Sequence, residues 1–154
     1  MAGPDQLLKS RLHAACLAYV QERIEACQAA INAAQESANS ETKSSAGDKY
    51  ETGRAMAQNE RDRNKVQLHQ AQQLQGELQR ILPELPCDTV RPGALVHTSM
   101  GQFYISISAG KLVVEGRDYF AVSAAAPVAA ALAGKRAGEQ AMFNGKSVQV
   151  LSVL

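Results

Sequence analysis

Apolar residues recur every three or four positions in the first half of the chain and every second position in the last third. Leu17, Val20, Ile24, Cys27, Ile31, Ala34 and Ala38 alternate three- and four-residue steps. That is a heptad seam, and it requires a partner helix. Ala71, Leu74, Leu78, Ile81 and Leu85 repeat the spacing later in the chain, so an antiparallel coiled-coil hairpin would pair them with the start of the first helix. The seam shrinks from Leu, Val and Ile to Ala34 and Ala38 toward the bend, which predicts a narrow finger with a polar tip near residues 39–51. Arms of about 30 residues would each span about 45 Å. The same heptads would also serve a coiled-coil homodimer or scaffold.

From residue 90 onward the pattern changes. "ALVHTS", "QFYISIS", "KLVVE", "YFAVS", "QAMFN" and "KSVQVLSVL" read as short strands separated by "MG", "AG", "EGRD" and "NG" turns, the hairpin chemistry of an antiparallel sheet. One helical interruption, "APVAAALAGKRAGE", has Pro127 suited to a first helical turn, Leu132 as apolar anchor and Gly134 suited to a helix C-cap. Three prolines, Pro83, Pro86 and Pro92, mark the change of regime by stopping a helix and stiffening a linker. The pattern therefore predicts an α+β protein: a hairpin over residues 1–85, then a sheet with one short helix over residues 86–154.

Composition narrows the picture little. At 154 residues, 45% hydrophobic and 20% charged, the chain is globular rather than disordered. A net charge of +1 gives no bulk attraction to nucleic acid or anionic membrane. Three cysteines without C-x-x-C spacing suggest neither a disulfide framework nor a zinc site. There is no uninterrupted apolar leader and no apolar run of membrane-spanning length, so a cytoplasmic protein with no membrane partner is expected.

Candidate chemistry gathers at the bend. In "NSETKSSAGDKYE" the carboxylates Asp48 and Glu51 are three residues apart. Asp48 could cap the second helix with Glu51 completing a capping box. Alternatively, both could face outward and hold a divalent cation, which so few carboxylates bind only when another macromolecule supplies the other ligands. Arg54, Arg61 and Lys65, spaced by seven and four, share a helix face and could hold phosphates, although the interleaved Glu60 and Asp62 equally fit a salt-bridged surface. His13, His69 and His97 are far apart, and each reads as a surface or packing residue. No P-loop, dinucleotide fingerprint or nucleophile motif occurs. With no Trp and three Phe, an aromatic-lined pocket is not expected.

Taken together, the heptad hairpin, the step Gly47, Asp48, Glu51, the proline linker and the block "APVAAALAGKRAGEQAMFNGKSVQVLSVL" resemble the bacterial transcript cleavage factors GreA and GreB over essentially the full length. The block P-x-x-x-x-L-x-G-K-x-x-G-E (Pro127, Leu132, Gly134, Lys135, Gly138, Glu139) is similar to the family's S-P-x-x-x-x-L-x-G-K-x-x-G-D block. The resemblance implies an FKBP-like C-terminal domain that docks on the rim of the RNA polymerase secondary channel, with Pro127, Leu132, Gly134 and Lys135 as docking residues. It implies a coiled coil inserted into that channel, where Asp48 and Glu51 complete the coordination of a second Mg²⁺ shared only in the complex, and where Arg54, Arg61 and Lys65 steady the nascent RNA. On this reading the protein is a monomeric accessory factor, not an enzyme, with no cofactor of its own and Mg²⁺ supplied by the polymerase. Ala126 stands where the family has Ser, Thr52 where it has Asn, and "NSETKSSA" enlarges the loop. Lys43 and Lys49 could pair with the tip carboxylates. A channel-occupying regulator without cleavage, an FKBP-type peptidyl-prolyl isomerase and a coiled-coil scaffold are the other readings.

Overall fold

A computed structural model describes residues 3–44 and 48–154, with side chains described over 3–39 and 51–154. The elements in chain order are α1 (Pro4–Ser44), α2 (Asp48–Gln79), β1 (Leu95–Thr98), β2 (Gly101–Ser106), β3 (Gly110–Val114), β4 (Arg117–Ser123), α3 (Pro127–Leu132), β5 (Gln140–Phe143) and β6 (Lys146–Val153). Residues 1–19 and 76–154 form one compact unit and residues 20–75 a second.

Pro4 opens α1 and Asp5 lies in its first turn, where a missing N–H is harmless and a negative charge is favoured. At 41 residues α1 is about 60 Å long. The second helix stops at Gln79. Continuing it would press the Pro83 ring against the carbonyl of residue 79, four positions back. Ile81 and Leu85, expected on the seam, therefore lie beyond the helix in tight turns, with the Ile81 amide bonded to Leu78 and the Leu85 amide to Leu82.

In the 20–75 unit the two helices lie side by side. Arg61 of α2 donates to the Gln35 side chain of α1 at 2.9 Å, and with so short a connection between Ser44 and Asp48 adjacent helices must be antiparallel. The buried stripe consists of Val20, Ile24, Cys27, Ala34 and Ala38 on α1 and Ala57 and Ala71 on α2. Below residue 20 the seam departs from expectation. Leu17 is 36% exposed, and the buried positions are Lys9, Leu12, His13 and Cys16.

The other unit holds a six-stranded sheet in the order β3-β4-β2-β1-β6-β5. The expectation of a wholly antiparallel sheet fails at one pair: β2 and β4 run parallel, with Phe103 beside Phe120 and Ile105 beside Val122. After β2 the chain turns out at Ile107–Ala109, where the Ala109 amide reaches both Ile107 and Ala121. Strand β3 thus takes the outer position, and its tight turn at Glu115 and Gly116, both at positive φ, returns β4 into the gap. The "EGRD" signal specifies only the β3–β4 hairpin, and alternation along β2 and β4 is satisfied by either orientation.

Helix α3 and the start of α1 cover opposite faces of this sheet. On one face, Val96, Phe103, Ile105, Ala141, Val148 and Val150 enclose Ala129 and Leu132 of α3, with Cys87 and Val90 of the linker. On the other, Tyr104 and Ser106 meet His13 and Cys16 of α1. Among the described residues no helix is long and apolar enough to cross a membrane.

Candidate functional site

The carboxylate step lies at the start of α2, whose first residue is Asp48. Glu51 is exposed. Residues three apart on a helix share a side, so Asp48 and Glu51 stand one turn apart on one side of α2. The side chains of Asp48, Lys43 and Lys49 and the backbone of Gly47 lie outside the described residues, as do Ser45 and Ala46 at the end of "NSETKSSA" and the side chains of that segment after Asn39. Thr52 is exposed beside Glu51.

Of the basic residues behind the step, Arg54 and Lys65 are exposed and Arg61 is half-buried. The Arg61 guanidinium is committed within its own unit, to Gln35 at 2.9 Å and to Asp62 at 3.4 Å. It joins the two arms as well as carrying charge. Next to it, a groove of about 780 Å³ runs between the helices, floored by Ala30, Ala34, Gly53 and Ala57 with Arg63 at its edge. The small residues that narrow the seam are the ones that open this groove.

The C-terminal block builds a turn system rather than a row of surface side chains. Pro127 occupies the first turn of α3 and is exposed, whereas Leu132 is 1% exposed in the core and presents nothing to a docking partner. Gly134 follows the Ala133 C-cap at φ +76°, a conformation that costs a residue with a Cβ about 1–2 kcal/mol. Its amide donates to the Val90 carbonyl, and the Val90 amide donates to the Lys135 carbonyl, both at 2.9 Å. The Lys135 side chain is half-buried. Gly138 donates to Val150, Val150 returns a bond to Glu139, and the Glu139 carboxylate accepts from the Arg136 amide at 2.7 Å. Leu132, Gly134, Lys135, Gly138 and Glu139 thus tie α3, the linker and β6 together. Arg136 also pairs with Asp88 of the linker at 3.6 Å.

Beneath α1 the sheet-containing unit carries a buried polar layer that the heptad reading missed. His13 Nδ1 lies 2.9 Å from the Tyr104 hydroxyl, and Cys16 Sγ lies 3.6 Å from Ser106 Oγ. Burial lowers the His13 pKa below its ordinary value, a hydrogen bond with the Leu78 backbone opposing this in part. With one ring nitrogen turned to a carbonyl, a neutral imidazole has Nδ1 free to accept from the Tyr104 hydroxyl. Burial pushes the Tyr104 hydroxyl and the Cys16 thiol up. Lys9 is fully buried and bonds the Leu85 and Leu154 main-chain oxygens at 2.8 and 3.1 Å. Extending the four-three spacing backward from Val20 through Cys16, His13 and Lys9 would have flagged the layer, because it places a cation and an imidazole on seam positions. His97 is half-buried opposite Gln102, and burial lowers its pKa, against a smaller opposing influence of Asp5. His69 is exposed.

Compared with protein-family models and with curated proteins, the chain matches none.

Proposed function

We propose that this protein is an RNA polymerase-binding regulator of transcript elongation, acting from the cytoplasm as a monomer, with its helical arms in the secondary channel and its sheet-containing unit, read as FKBP-like, on the channel rim. The observation that carries the reading is the pairing of a carboxylate step at the start of α2 with the P-x-x-x-x-L-x-G-K-x-x-G-E block.

Glu51, exposed on the first turn of α2, suits a group that offers its oxygens to an ion held mostly by another molecule. A carboxylate pair that binds Mg²⁺ weakly alone can stabilise the second ion of a two-metal centre, where the ion lowers the pKa of its bound water and orients it for in-line attack on a phosphodiester. Arg54 and Lys65 lie on the same side of α2 and would steady the RNA backbone. Arg61, already engaged with Gln35, would contribute chiefly by holding the arms together. At the other end, Pro127, Lys135 and the exposed Arg136 are the members of the block still presented to a partner, while Leu132 and Gly134 set the shape of that surface.

The test is RNA cleavage in stalled, backtracked elongation complexes with the parent protein and with Asp48→Ala plus Glu51→Ala. Transcript shortening by the parent and none by the double variant, at equal polymerase binding, is the expected result. Binding by both without shortening makes the protein a channel-occupying regulator and returns the carboxylates to helix capping. No binding by either removes the polymerase reading.

A further inference from the structure

The Lys9 side chain is buried against main-chain oxygens and a thiol. Its side chain is 0% exposed, and among the described residues no Asp or Glu carboxylate lies within ion-pair distance of it. Two of its three donor positions are taken by main-chain oxygens. The third neighbour is Cys87 Sγ, at 3.9 Å. Burial lowers the Lys9 pKa, as does Arg91, with Cys87 and Glu84 opposing. A lysine in such surroundings reaches its neutral, nucleophilic form more readily than a solvated one.

Cys87 differs from the other two cysteines in its neighbours. Cys16 faces the Ser106 hydroxyl, and Cys27 lies on the buried stripe of the helical arms. Cys87 instead accepts from Arg91 Nε at 3.4 Å and lines a surface pocket of about 190 Å³ together with Arg80, Leu82, Leu85 and Pro92. The pocket gives a small oxidant access to the sulfur.

We propose that Cys87 is an oxidisable thiol whose sulfenic acid is captured by Lys9, giving a covalent Sγ–Nζ link between α1 and the 80–94 linker, with a hydroperoxide as the oxidant. In the first step the sulfur attacks one peroxide oxygen. The S–O bond forms, the O–O bond breaks, and the departing hydroxide takes the thiol proton, so the thiol and hydrogen peroxide become sulfenic acid and water. In the second step the neutral Lys9 amine attacks the same sulfur. The S–N bond forms, the S–O bond breaks, and hydroxide leaves with a proton from nitrogen as a second water. Sulfur is oxidised by two electrons and the peroxide is fully reduced. Two equivalents of an external thiol reverse the link, regenerating thiol and amine and leaving the external disulfide. Arg91 holds the sulfur in place through its Nε in the first step, and the main-chain acceptors of Lys9 hold its nitrogen beside the sulfur in the second.

The experiment uses the full chain with Cys16→Ala and Cys27→Ala, so that Cys87 is the sole thiol and no internal disulfide can form. After treatment with hydrogen peroxide, intact mass spectrometry should show a monomer lighter by two hydrogens. Proteolytic mapping should join the peptide containing Lys9 to the one containing Cys87, and dithiothreitol should restore the starting mass. Adding Lys9→Arg to the same background should abolish the lighter species and leave a sulfenic acid that dimedone labels. The proposal is overturned if the chain that retains Lys9 gains oxygen or dimedone at Cys87 with no linked peptide, or if Cys87 resists peroxide that oxidises a free cysteine peptide. The linked peptide decides the matter even if the Lys9 variant does not fold.

Discussion

Replacing Tyr104 by phenylalanine removes one oxygen from the middle of the sheet-containing unit and tests whether the buried polar layer is a bonded network. Tyr104 is 0% exposed, and its hydroxyl lies 2.9 Å from Nδ1 of His13, itself 8% exposed. The substitution leaves the ring packing intact and strands a buried acceptor, so the cost is the net hydrogen bond plus the desolvation of the orphaned nitrogen. The bond is worth about 1 kcal/mol and the orphaned group about 1–3 kcal/mol, together roughly 2–4 kcal/mol. With a urea dependence of about 1–3 kcal/mol per molar for a chain of this size, the midpoint should fall by about 1 M. The assay is urea unfolding read by amide exchange in β1 and β2, which isolates the sheet-containing unit from the helical arms. Adding His13→Leu to Tyr104→Phe removes both polar partners, and part of the loss should return, because replacing both partners with apolar groups relieves the unmet hydrogen bond. An unchanged midpoint for the single variant would refute the hydrogen-bond assignment, and a double variant no better than additive would refute the coupling.

Other outcomes follow from the same packing. Leu132→Ala removes the buried anchor of α3 and should cost about 2–5 kcal/mol, measured by thermal or urea unfolding. His13 and His97 both have pKa values lowered by burial. As pH falls through the ordinary histidine value the unfolded chain takes up protons that the folded chain does not, so stability should fall on acidification from neutral pH until the lowered folded values are reached. The slope of unfolding free energy against pH should be positive there and shallower in His13→Leu. A flat or inverted slope would contradict the assigned shifts.

Much of the architecture was legible because it is governed by local periodicity. Each of the six strands read from alternation and turn residues is present, and Pro127 lies in the first turn of α3 as expected, while the C-cap falls on Ala133 with Gly134 at positive φ just after it. Sequence reading went astray where a long-range partner decides the outcome. Leu17 fits the heptad but is exposed, while Lys9 and His13 are buried because Leu85, Leu154 and Tyr104 supply their bonds. Leu132, read as the apolar anchor of the short helix, does sit in the core, packed with residues of β2 and β6. Of the carboxylate step, the start of α2 at Asp48 and the exposure of Glu51 are described, while the Asp48 side chain lies outside the described residues.

The helix and strand segments, the proline-bounded change of regime near residue 85 and the turn chemistry of the C-terminal block were all written in the chain itself, since they depend on backbone propensities and on spacing within one element. Three features arose only in the folded molecule: the parallel pairing of β2 with β4, the division of the first helix between a sheet-covering segment and an arm, and the approach of Lys9 to Cys87 across 78 residues. Strand direction and buried polar contacts depend on which surfaces meet, and a pattern of alternating apolar residues is satisfied equally well by several such meetings.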